Sequence, residues 1–162
     1  ALKDGQENDY SVMFIGGLDK HGNIWVIDRE KDRFVISEII QISKKAYIDW
    51  QTYNIWFEDS GVGTPAVTTI REEMPQVPCT TVYYGGGKRS RANVLAQYIH
   101  NGQVRFPSMA PWFPDMEYYL KHFPFVDHDD DIDSLFILVD NLLQLQHPAG
   151  YADRPRVGLE MR

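Results

Sequence analysis

The chain has 162 residues, 43% hydrophobic and 13% aromatic, which is enough for one domain with a substantial core and too apolar for a disordered chain. Its formal net charge of -7 is local, because five of its 23 acids fall between Asp127 and Asp133; without them the balance is about -2. Acidity argues against an ordinary basic nucleic-acid binder, yet two bound divalent cations would cancel about four of those charges, so nucleic acid stays open as a partner. Cys79 alone excludes an internal disulfide and a thiolate zinc site, and His21, His100, His122, His128 and His147 show no HExxH or comparable spacing. No apolar run approaches the ~20 residues that span a bilayer and no signal-peptide pattern is present, which points to a protein of the reducing cell interior that binds no membrane.

Ala1–Asn8 is polar and turn-like. Ser11–Gly17 reads as a strand, Leu18–Asn23 as a hairpin connection in which Gly22 supplies a positive φ, and Ile24–Asp28 as the antiparallel return. After alternating charge over Arg29–Arg33, the spacing of Ile36, Ile39, Ile40, Ala46, Tyr47 and Trp50 predicts an amphipathic helix to about Trp50. Tyr53–Phe57 is a short buried strand that ends on Glu58 and Asp59, and Ser60–Pro65 opens a helix to about Met74. Acids at the carboxyl end of a strand, before a Gly-rich turn, are where open α/β sheets place ligands. Asp59 or Ser60 would equally serve as a helix cap, which explains Asp59 better than Glu58.

Val77–Tyr84 gives another strand, joined by Gly85-Gly86-Gly87-Lys88-Arg89-Ser90-Arg91 to a helix with Ala92, Leu95, Ala96 and Ile99 inward. The loop is not a P-loop, since Arg89 stands where GxxxxGK[ST] needs Ser or Thr. Three cations at a helix start oppose the dipole preference; they are either solvated or facing an anion. Asn101-Gly102 stops that helix, Gln103–Pro107 is a short extended piece, and Trp112–Phe123 is a further helix. Ile132, Leu135, Phe136, Val139, Leu142 and Leu143 mark one buried stripe of a last helix, headed by the acidic run Asp127, Asp129, Asp130, Asp131 and Asp133. One or two of these acids suffice to cap it; five on so short a stretch repel one another unless a cation sits among them, and oxygen ligands of this kind suit Mg²⁺ or Mn²⁺. His147–Gly150 breaks the helix, and 147–162 reads as a tail.

The order of these elements is an α/β arrangement, an RNase H-like mixed β-sheet flanked by helices over residues 1–146. Within it the chain resembles the C-terminal nuclease domain of the tailed-phage terminase large subunit. The resemblance is carried by Asp9-Tyr10-Ser11-Val12, Gly22–Val26, Phe57–Gly63, Lys88–Ala92, Gly102–Pro107 and His128–Leu135, in that order. It implies a metal-dependent endonuclease that cuts concatemeric double-stranded DNA when packaging starts and ends, with two Mg²⁺ or Mn²⁺ ions held by three carboxylates. Glu58 matches the second of these and Asp130 the third, with Asp129 and Asp133 as neighbours able to share the role. The first would lie on a strand upstream of Ala1, so that strand is truncated here. Asp9, Asp59 and His128 are possible substitutes or supports around the ions, and Lys88, Arg89 and Arg91 would hold the DNA backbone. A packaging ATPase domain, the portal and the small terminase subunit are the implied partners, in the host cytoplasm during virion assembly. Two alternatives stand beside this one: a catalytically incomplete docking or regulatory module of the packaging motor, and another RNase H-like nuclease such as a resolvase or transposase.

Overall fold

The computed structural model describes residues 10–85, 87–126 and 130–146. Strands β1 (Ser11–Leu18) and β2 (Ile24–Asp32) form the expected antiparallel hairpin. Its turn is fixed by Asp19, whose carboxylate accepts from the backbone N–H groups of His21 and Asn23 at 2.8 Å each, from the Asn23 amide and from the Trp25 indole. Gly22 closes it at φ 86°, a conformation open to glycine at little cost. These hydrogen bonds, the one from the Asn23 amide foremost, hold the Asp19 carboxyl well below the usual carboxylate range.

β2 runs four residues past the expected Asp28, through the charged stretch to Asp32. Alternation explains it: Arg29 and Lys31 fall on one face of the strand, and that face meets the buried Asp131. α1 (Ile36–Trp50) follows, then β3 (Ile55–Glu58), α2 (Gly63–Glu73), β4 (Cys79–Val82), α3 (Lys88–His100), β5 (Val104–Arg105), α4 (Phe113–His122) and α5 (Asp130–Gln146). β5 extends the hairpin by pairing parallel with β2, while β3 and β4 pair parallel with Glu58 opposite Val82. Among the described residues the strands thus make a β1-β2-β5 sheet and a β3-β4 sheet.

Two apolar clusters fill the interior. Phe14, Ile24, Val26, Leu95, Val104 and Met116 surround the stripe Ile132, Leu135, Phe136, Leu138, Val139 and Leu142 of α5. The other cluster holds Ile40, Ile55, Ala66, Val67, Ile70, Val77 and Cys79, the crossover layer of β3 and β4. α5 packs against β1 and also meets β3, whose Trp56 lies against the first cluster. Its approach to β1 depends on Gly16, where a Cβ would stand 2.7 Å from Leu138 Cδ2 and 3.0 Å from the Trp25 carbonyl. Ala96 does not face inward as its spacing suggests: Leu95, with Ala92, Tyr98 and Ile99, already fills the buried face of α3, and Ala96 is exposed. Ile36 likewise stands 42% exposed at the start of α1. No helix among the described residues is long and apolar enough to cross a membrane.

Candidate active site

Glu58 ends β3, exposed, and among the described residues its carboxylate makes no side-chain hydrogen bond or ion pair. Its backbone is tightly set. The Asp59 N–H donates to the Val82 carbonyl at 2.8 Å, and the first turn of α2 folds so closely over the strand end that a Cβ on Gly63 would stand 2.0 Å from the Glu58 carbonyl oxygen. Asp59 turns to α2 and accepts from the Thr64 hydroxyl at 2.7 Å, while Ser60 Oγ accepts from the Gly63 N–H. The two acids of the strand end therefore part company: Asp59 is occupied by its own turn, and Glu58 faces solvent.

β4 leads into the basic turn, which is tied to α5 at both ends. Before the glycines, the Tyr84 hydroxyl donates to Asp140 Oδ2 at 3.0 Å and accepts from the Asn141 amide at 2.7 Å. Burial pushes the Tyr84 phenol well above its ordinary value, and the Asp140 charge adds to the shift. After the glycines, Arg91 donates to Asp133 Oδ1 through Nη2 at 2.8 Å and Nε at 3.2 Å, and Lys88 Nζ lies 3.4 Å from the other oxygen. Arg91 and Asp133 are mostly buried, whereas Lys88 and Arg89 are exposed. Asp133, expected to share the metal-ligand role of Asp130, meets Arg91 and Lys88, two of the residues expected to hold DNA.

Asp131 is the residue that sequence reasoning passed over. It is completely buried and accepts from Arg29 Nη1 at 2.7 Å and Lys31 Nζ at 2.6 Å. Asp115 at the start of α4 takes a second Arg29 nitrogen at 2.8 Å. Trp112 lies beneath the guanidinium, and the Lys31 ammonium is 4.2 Å from the Tyr119 ring centre and 5.1 Å from that of Tyr10. Burial works to lower the Lys31 ammonium, but its hydrogen bonds to Asp131 and Tyr119 and the charges of Asp131 and Asp115 outweigh it, and its pKa is raised. The signal was present: Asp131 continues the Leu135, Leu138 and Leu142 line of α5, a buried position for a carboxylate that demands a partner.

Asp130 opens α5, half-buried, one turn before Asp133. Asp9, His128 and Asp129 lie outside the described residues. Among the described residues no group of three or more His, Cys, Asp or Glu is gathered as a metal site. A family model for the terminase RNaseH-like domain matches residues 2–142. The chain belongs to that family. Its mixed strands and flanking helices are accordingly the RNase H-like α/β fold, and the strand end, basic turn and acid-headed helix are parts of a terminase domain of nuclease type. No curated protein matches the sequence.

Proposed function

We propose that this terminase domain is a metal-dependent endonuclease for double-stranded DNA, with Glu58 and Asp130 as the carboxylates that hold divalent ions. The observation that supports it best is Glu58 itself. A carboxylate at the exposed end of a partly buried strand, locked in backbone position by the Gly63 turn and with no side-chain partner among the described residues, is a hard oxygen donor held ready for a cation. Asp130 adds a second oxygen donor from the first turn of α5, a helix that packs against β3. These donors fit Mg²⁺ or Mn²⁺ in chemistry, and Asp129, the residue before Asp130 in sequence, would share its role. Bound there, the ions would activate a water and stabilise the leaving 3′ oxygen of a phosphodiester.

The chain's own contribution is placement. Lys88 and Arg89, exposed at the start of α3, would take backbone phosphates, which gives affinity without reading sequence. Asp59 supports Glu58 by fixing the turn rather than by binding an ion. In a packaging motor such a domain would cut concatemeric DNA at the start and end of head filling in the host cytoplasm, beside an ATPase domain, the portal and the small subunit.

Supercoiled plasmid tests the reading. The chain should nick and linearise it in Mg²⁺ or Mn²⁺, EDTA should abolish cutting, and Glu58→Gln and Asp130→Asn should each slow it about a hundredfold or more. Cutting that survives EDTA or both substitutions would refute the assignment. Duplex binding without any cutting by the wild-type chain would favour the docking module instead.

A further inference from the structure

We infer that α5 positions the phosphate-binding turn, and that Asp133 is the positioning residue that sets Lys88 and Arg89 through Arg91 rather than a metal ligand. The inference rests on the reading of that turn as the DNA-backbone contact.

By sequence the segment before α3 is three glycines, the residue type with the widest backbone freedom, and Gly87, the residue just before α3, gives the helix no side-chain cap. The first turn of α3 holds no acid, so Lys88, Arg89 and Arg91 sit against the positive end of their own helix. What holds the segment comes from outside it. Tyr84 is fixed to Asp140 and Asn141 on one side of the glycines, and Arg91 to Asp133 on the other. Asp133 and Asp140 are two helical turns apart, hence on the same face of α5. The turn is therefore hung from one rigid helix at both ends, and the Asp133 oxygen that does not take Arg91 Nη2 lies beside Lys88. The same helix carries Asp130, so its first turn fixes the distance between the proposed ion ligand and the phosphate contacts. An Asp133 carboxylate with Arg91 on one oxygen and Lys88 beside the other already offers both oxygens to cations of α3 and is poorly placed to ligate an ion.

The test is a charge swap read by duplex binding in Ca²⁺, by fluorescence anisotropy over a range of salt, with thermal unfolding alongside. Asp133→Asn and Arg91→Gln should each weaken binding about tenfold and reduce the salt slope by about one, while the fold persists. Asp133→Glu, which keeps the carboxylate, should stay near wild type. The double variant Arg91→Glu with Asp133→Arg should recover most of the loss, a result that neither a metal ligand nor a direct phosphate contact would give. Mn²⁺ affinity should be unchanged in Asp133→Asn. Three results would overturn the inference: tighter duplex binding by Asp133→Asn, which would make the carboxylate a competitor of phosphate; a swap that fails to recover affinity while folded; or loss of Mn²⁺ binding in Asp133→Asn. A wild-type chain that binds no duplex would instead remove the reading beneath it, and the inference with it.

Discussion

Neighbouring aspartates in the first turn of α5 meet different surroundings. Asp131 is sealed between Arg29 and Lys31, and Asp133, 16% exposed, leans on Arg91 and Lys88. Removing one partner of a buried pair leaves the other charge uncompensated, so Asp131→Asn should cost about 3–5 kcal/mol in denaturant unfolding, and Asp133→Asn clearly less. Equal losses would mean that burial does not distinguish the two. Asp19 offers a second check. Its folded pKa is depressed, so its contribution to the hairpin is in place above the ordinary value of 3.8 and is lost only as pH falls through the lower folded value. The Trp25 indole N–H, which donates to it at 3.1 Å, should therefore hold its NMR shift to well below pH 3.8; a transition at the ordinary value would contradict this. The buried position of Asp131 was legible from its line with Leu135 and Leu138, but its partners were not. They lie about a hundred positions away on β2, and no local pattern pairs a strand with a helix at that distance.

At the scale of elements, apolar periodicity located the helices and the strand before Glu58 well, because each buries one face or both. It failed where charge is buried by pairing. β2 looked finished at Asp28, yet it continues because its later cations reach acids on α4 and α5. The strand end at Glu58 carries an element-level prediction. Gly63→Ala would drive a Cβ into the Glu58 carbonyl, so α2 must shift; the expected cost is about 1–3 kcal/mol or more, with Glu58 displaced. Unfolding within error of wild type, together with undiminished cutting, would show that the tight turn does not set Glu58. Gly61, with nothing within 4 Å of its Cβ position, should tolerate Ala far better and serves as the matched control.

Across the whole molecule, α5 is the member common to the larger apolar cluster, the buried Asp131 pair, the basic turn and the proposed ion site. This arrangement tempers the acidity of the protein: much of the negative charge falls around one helix start, where cations from β2 and α3 already neutralise part of it. The acidic run itself was legible as a place for cations. The division of labour within it was not, because residues one apart on a helix point about 100° apart and meet different elements. The most direct measurement is calorimetric titration of Mn²⁺ into the wild-type chain, Glu58→Gln and Asp130→Asn. The account expects saturable binding by the wild type and at least about a tenfold loss of affinity in each variant. Affinity unchanged by both substitutions would contradict it.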